Sequence, residues 1–242
     1  PILLLFMEVN DDSFKGIEDL VRNHPTVNHS FLRKFGDLDL NGFIRFIKEQ
    51  YKLSTTLPYA LAHTYGHAHD VSLPDLPNWQ LAKPIVDFLK VEHWGSDEDG
   101  AHSSYFTELA TALNIEDIHL HEQYRETQDF VNLRTRICRY GPFLKAVGTL
   151  AFANEYANKF IFEYYLAGAR KIRERSEISF PLDYFDAHVR DEQKDYEQLC
   201  TIMAPLLEYN PSSEKLMVEG TCELLDARLA WYNALNERLL RK

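Results

Sequence analysis

The stretch PLDYFDAHVRDEQKDYEQLCTIMAPLLE, residues 181–208, decides how this chain is read. Pro181 suits the first turn of a helix, where its missing N–H has no intrahelical partner to lose. From there helical periodicity runs to about Glu208. At 100° per residue, Leu199, Ile202 and Leu206 form a stripe that belongs against a core. His188, Glu192 and Asp195 continue the same stripe through the first half of the helix. Two inward carboxylates on neighbouring turns repel each other unless a cation or a proton lies between them. The segment therefore predicts helical packing with polar chemistry inside it.

The same periodicity extends in both directions, and strand-like alternation with turn pairs is absent. A short helix is expected over Ser13 to Arg22, broken at Asn23-His24-Pro25. A second carries Val27, Phe31, Leu32 and Phe35 and stops at Gly36. A long helix follows from Leu40 to His67, with a kink expected upstream of Pro58. Pro74 and Pro77 make 71–78 a loop. Helices are then read over Trp79 to His93, Ala101 to Leu113, and about Ile118 to Tyr140, with a polar turn over Gly95 to Gly100. Gly141-Pro142 precedes the longest apolar helix, Phe143 to Glu174, and Asn210-Pro211 precedes a final helix ending near Arg241. No linker and no repeat interrupts this, so the expected architecture is all-α, one domain over residues 1–242 with eight or nine helices.

Composition narrows the function classes. The 242 residues are 45% hydrophobic, ample for a core, and carry a net charge of -11. A surface this acidic repels phosphate backbones, so nucleic acid is not an expected partner. Arg134, Arg136 and Arg139, and Arg170 to Arg175, read as solvated helix faces. Three cysteines without regular spacing point to a reducing compartment, and a cytoplasmic location is expected. The apolar start, Pro1 to Val9, is too short to span a bilayer and lacks a basic flank, so 1–12 is read as an arm packed on the domain and no membrane partner is expected.

Three more ionisable residues fall on stripes that ought to be core. Glu92 lies within about 20° of the Leu81 and Ile85 face. His102 shares a face with Phe106, Leu109 and Leu113, and Glu155 with Gly148, Ala151, Phe162 and Leu166. Singly, each has an ordinary reading: an inward His is usually a hydrogen-bonded core residue, Glu92 could cap a turn, and Asp195 could pair with Arg228. Together, acid and imidazole groups from four helices favour a metal site inside the bundle. Such a donor set suits iron or manganese better than structural zinc. His63 and His67 share a helix face but sit at a surface end, and His119 and His121 are read as surface residues.

The run from His24 to Leu32 (HPTVNHSFL), followed by a long helix with Phe46 and Gln50-Tyr51, resembles the opening of the thiaminase-II and pyrroloquinoline-quinone synthase group. That group belongs to the haem-oxygenase-like superfamily. Val91-Glu92-His93-Trp94-Gly95 and Ala101 to Phe106 resemble a hallmark of its di-iron oxidase branch, where a Glu and a His flank a variable turn. Phe152-Ala153-Asn154-Glu155-Tyr156 and Tyr184-Phe185-Asp186-Ala187-His188 fit the surroundings of further ligands. The similarity runs from about His24 to Trp231.

This resemblance implies a haem-oxygenase-like helical bundle holding two iron ions, with metal ligands Glu92, His102, Glu155, His188, Glu192 and Asp195 and no haem. It implies an O2-activating oxidoreductase acting on a small-molecule substrate, and a homodimer, since relatives often dimerise. The family pattern has Asp where this chain has Glu192 (or Asp191 one residue earlier), and His where it has Asp195. Asp for His replaces a neutral imidazole with an anion and makes the set richer in carboxylate. The alternatives are a metal-free quinone-synthase-like or thiaminase-like enzyme, or a non-catalytic small-molecule binder. Tyr105, Tyr156, Tyr184 and Phe185 are expected near the pocket.

Overall fold

A computed structural model describes residues 13–71, 77–94, 101–116 and 118–240. The expected arm at 1–12, most of the 71–78 loop and the 95–100 turn lie outside the described residues. The elements are α1 (Lys15–Asn23), α2 (Ser30–Arg33), α3 (Leu40–His67), α4 (Asn78–Trp94), α5 (His102–Ala112), α6 (Arg125–Tyr140), α7 (Phe143–Gly148), α8 (Ala157–Arg175), α9 (Asp183–Tyr209) and α10 (Glu214–Leu235). The chain is all-α, with no strand among the described residues, and none of its described helices is long and apolar enough to cross a membrane.

Helix α3 has the bounds read from the sequence. Its start is set by Asp39, whose side chain accepts a hydrogen bond from Gly42 N at 2.8 Å, an N-cap of the usual kind. The helix runs unbroken through Pro58. Proline removes the donor that the Ser54 carbonyl would have met, and one residue earlier the Leu53 carbonyl also accepts from Arg134.

Two expectations need correction. The helix foreseen from Ile118 begins only at Arg125, after a single 3-10 turn at Ile118–Leu120. The cause is Glu49 on α3, whose carboxylate accepts from Tyr124 N at 3.0 Å and lies 3.4 Å from His121 Nε2. His121 is thus largely buried rather than on the surface. Second, α7 continues into α8 through a π-helical segment, Thr149–Tyr156, in which all eight residues are buried. A π-helix turns more slowly than an α-helix, so adjacent residues can share an inward face.

Packing places α3 against α4 and α6, α8 against α9, and α10 against α6 and α7. An aromatic cluster ties these layers: Phe35 meets Phe46 at 4.7 Å, and Phe46 meets Tyr165 at 4.9 Å. Each such ring contributes about 1.5–3 kcal/mol by burial. Helices α7 and α10 approach closely through glycines. A Cβ on Gly148 would stand 2.7 Å from Met217 Cα, and one on Gly220 would stand 2.7 Å from the Lys145 carbonyl oxygen. Both obstacles are backbone and cannot rotate away. Gly220→Ala is therefore expected to destabilise by about 1–3 kcal/mol through overpacking, despite alanine's better helix propensity. Urea denaturation reads this directly, and an unchanged midpoint would mean that the two helices can move apart freely.

Candidate metal centre

Four segments deliver the six side chains singled out above. Glu92 sits in the last turn of α4, His102 opens α5, Glu155 lies in the π segment, and His188, Glu192 and Asp195 line α9. Helix α9 packs on all three of the other segments. All six are buried, none more than 8% exposed. Periodicity placed them correctly, because a residue on an apolar stripe goes where the stripe goes.

Glu92, His102 and His188 form the tightest group, with one ligand atom from each within 4.8 Å of the others. His102 Nδ1 lies 2.7 Å from Glu92 Oε1. His188 Nδ1 lies 2.7 Å from the Tyr184 carbonyl oxygen, which can only accept. That contact puts the proton on Nδ1 and leaves the Nε2 lone pair available. The His188 ring stacks on Phe162 at 4.1 Å and stands 4.4 Å from the His102 ring.

Glu155, Glu192 and Asp195 extend the group as a run of neighbouring acids. Asn154 Nδ2 donates to Glu155 Oε1 at 2.7 Å. Glu192 is met only by the Glu155 carboxyl, and His102 Nε2 stands 3.6 Å from Asp191 Oδ2. Among the described residues, no lysine or arginine forms an ion pair with any of the six. Asp195 does not meet Arg228, which bonds instead to Asn158 and Asn154.

Proton affinities follow from burial and crowding. Burial, then the charges of Glu155 and Glu92, push the Asp195 carboxyl up to about 8. Burial and Glu155 hold Glu192 well above the usual carboxylate range. Burial lowers His188 to about 3, helped by the charge on His102. Burial also opposes charge on Glu92 and His102, but their mutual attraction wins. Glu92 ends up lowered and His102 raised, the latter also through Asp191.

Buried carboxylates this close together repel unless a proton or a cation lies between them. The donors fit iron or manganese, both of which take mixed oxygen and imidazole ligands.

Beside this cluster lies a cavity of about 40 Å³ that Glu92 and His188 help to line. Of the four aromatic residues expected there, only Tyr184 lines it, its hydroxyl 3.1 Å from Gln50 Nε2 and 2.9 Å from Ser54 Oγ. Tyr156 accepts from Arg22, and Phe185 packs on Phe43. Two arginines also line the cavity. Arg134, read above as a solvated residue, is 2% exposed, while Arg136 and Arg139 are exposed as expected. The signal was present: Arg134 lies four residues from Phe130 and three from Ile137, squarely on the buried stripe of α6. His67 is tied off by Asp70 and the Arg139 carbonyl.

No family profile and no curated protein sequence matches the chain. Solved structures do. A CADD-like protein of unknown function from Nostoc punctiforme PCC 73102 is 13% identical, with a TM-score of 0.76 over 95% of this chain and 97% of that one. A TenA family transcription regulator from Silicibacter sp. TM1040 is 12% identical, with a TM-score of 0.70 over 92% and 96%. A TenA homologue from Pyrococcus furiosus is 15% identical, with a TM-score of 0.66 over 92% and 97%. Agreement in backbone over nearly the whole chain gives this protein the haem-oxygenase-like fold shared by CADD-like proteins and TenA homologues.

Proposed function

We propose that this chain is an iron-dependent oxidoreductase that uses O2 to oxidise a small metabolite. One observation carries the reading: six buried acids and imidazoles from four segments converge with no lysine or arginine paired to them among the described residues, and Glu192 has only another acid, Glu155, beside it. Glu92, His102 and His188 would hold one ion, and Glu155, Glu192 and Asp195 would complete the set for a second. Bound ferrous iron would supply electrons for O2 reduction and an open coordination position. The chain's own part is positional. The Tyr184 carbonyl fixes the His188 tautomer, Asn154 orients Glu155, and Phe162 holds the His188 ring in place. Ile161, Phe162 and Leu57 form the apolar part of the cavity wall.

A second reading has its own support. The Glu92–His102 contact at 2.7 Å is a ready acid–base couple for a metal-free enzyme of the quinone-synthase kind. Anaerobic purification with ferrous iron separates the two. About two irons per chain are expected, as in carboxylate-bridged bundles, with loss of metal in His188→Ala. Asp195→His is expected to bind iron at least as tightly as the native chain. No bound iron in a folded protein would end the first reading and leave the second.

A further inference from the structure

Arg134 and Arg228 are the buried charges that the metal reading does not use. They are 2% and 4% exposed, and both line the cavity that Glu92 and His188 also line. Every hydrogen-bond partner they have is neutral. Arg228 donates to Asn158 Oδ1 at 2.8 Å and to Asn154 Oδ1 at 3.2 Å. Arg134 donates to the same Asn154 oxygen at 3.4 Å, to Thr56 Oγ1 at 2.8 Å and to the Leu53 carbonyl. Arg134 Nε has no partner at all. Among the described residues neither guanidinium forms an ion pair with a carboxylate. Both instead lie beside the Phe130 ring, at 5.7 and 5.4 Å from its centroid.

Two buried cations that share one amide oxygen are costly unless an anion joins them. A guanidinium stays charged at neutral pH and presents its N–H groups as a planar fork that matches a carboxylate. The acids of the metal cluster exert some long-range attraction on Arg134. Once those acids are matched by bound cations or by protons, however, the two arginines leave an excess of positive charge. The cavity has room for the missing partner. A water needs roughly 10–15 Å³, so about 40 Å³ holds a group of a few heavy atoms and not a large ring.

We infer that Arg134 and Arg228 seat the carboxylate of a small monocarboxylic acid in this cavity, next to Glu92 and His188. The inference rests on the proposed function for the reaction this acid undergoes, and on the arginines alone for its recognition. Arg228 is the binding residue to test, because its side-chain bonds go only to the two asparagines. Arg134 also braces α3.

The test is calorimetric titration of the chelator-treated full chain at neutral pH with acetate and, separately, with acetamide, at fixed ionic strength in chloride. The two probes have the same shape and differ in charge. Saturable acetate binding is expected, at least tenfold tighter than acetamide. Arg228→Gln is expected to weaken acetate at least tenfold, with Arg228→Lys between it and the native chain. Equal binding of the two probes, no saturable acetate binding, or unchanged acetate affinity in Arg228→Gln would each overturn the assignment. The comparison of probes on the native chain decides even if the variants do not fold. Iron counted on parallel samples keeps the readings apart. Acetate binding without iron uptake removes the oxidoreductase and leaves the seat, and iron uptake without acetate binding does the reverse.

Discussion

Metal-free protein is expected to lose about 2 kcal/mol of unfolding free energy from Asp195 alone between about pH 6.5 and pH 8, and metal-loaded protein far less. Asp195 titrates near 8 in the folded chain because burial and then Glu155 and Glu92 disfavour its charge, against an ordinary value of 3.8. Across that interval the native state keeps a proton that the unfolded state has released. Stability from this group is fully present below about pH 4 and is lost as pH rises through about 8, at about 1.4 kcal/mol per pH unit. Glu192 is raised for similar reasons and acts in the same direction.

The histidines decide where the slope shows. His188 is lowered to about 3, so the unfolded chain takes up a proton there that the native chain refuses. Stability from His188 therefore rises with pH up to about 6.5, which offsets the carboxyls at acid pH. His102 is raised, so its contribution is lost as pH climbs above 6.5, together with that of Asp195. Glu92 is lowered and gives stability above its ordinary value, lost only as pH falls below it. Above pH 6.5 nothing in the cluster opposes the loss. A bound cation takes the place of the protons and removes the slope. Urea unfolding from pH 5.5 to 8.5, with and without metal, measures this, and a flat profile for the metal-free chain would mean that the acids are solvated.

The six cluster residues were legible in the sequence because helical periodicity defines a face, and a polar residue on an apolar face must go inside. The same rule applied to Arg134, Arg228 and Glu49. Arg228 stands between Leu224, Leu225 and Trp231, and Glu49 between Phe46 and Leu53, so each lies on a buried stripe. Charge type drew Arg134 to the surface reading, although position argued otherwise. The π segment was not legible. At 100° per residue Asn154 turns away from the face of Glu155, yet in the structure both are buried, one bonded to the arginines and the other set in the acid cluster. Nor can local pattern reveal that Glu49, more than seventy residues earlier, captures Tyr124 N where α6 begins, since that contact exists only after the layers pack.

Glu49 and Glu192 are both buried glutamates, at 0% and 2% exposure, and replacing them is expected to have opposite effects. Glu49 faces cations and donors: Arg45 Nη2 forms an ion pair with one oxygen at 2.8 Å, without a hydrogen bond, and the other accepts from Thr127 Oγ1 at 2.5 Å and from Tyr124 N. Glu49→Ala leaves the buried Thr127 and Tyr124 donors without an acceptor and the part-exposed Arg45 without its ion pair, and is expected to cost about 1–3 kcal/mol. Glu192 has no cation and no donor group beside it, only the Glu155 carboxyl, whose charge opposes its own. Glu192→Met fills similar volume without a carboxyl to desolvate. In metal-free protein it is expected to stabilise by about 1–4 kcal/mol, while reducing the iron retained. Urea denaturation of both variants after chelation gives the two signs in one experiment. Natural sequences keep destabilising groups where function requires them, so a stabilising Glu192→Met marks this carboxylate as kept for a ligand. A clear loss of stability would instead make Glu192 a structural residue like Glu49, and the cluster would lose its strongest claim to a cation.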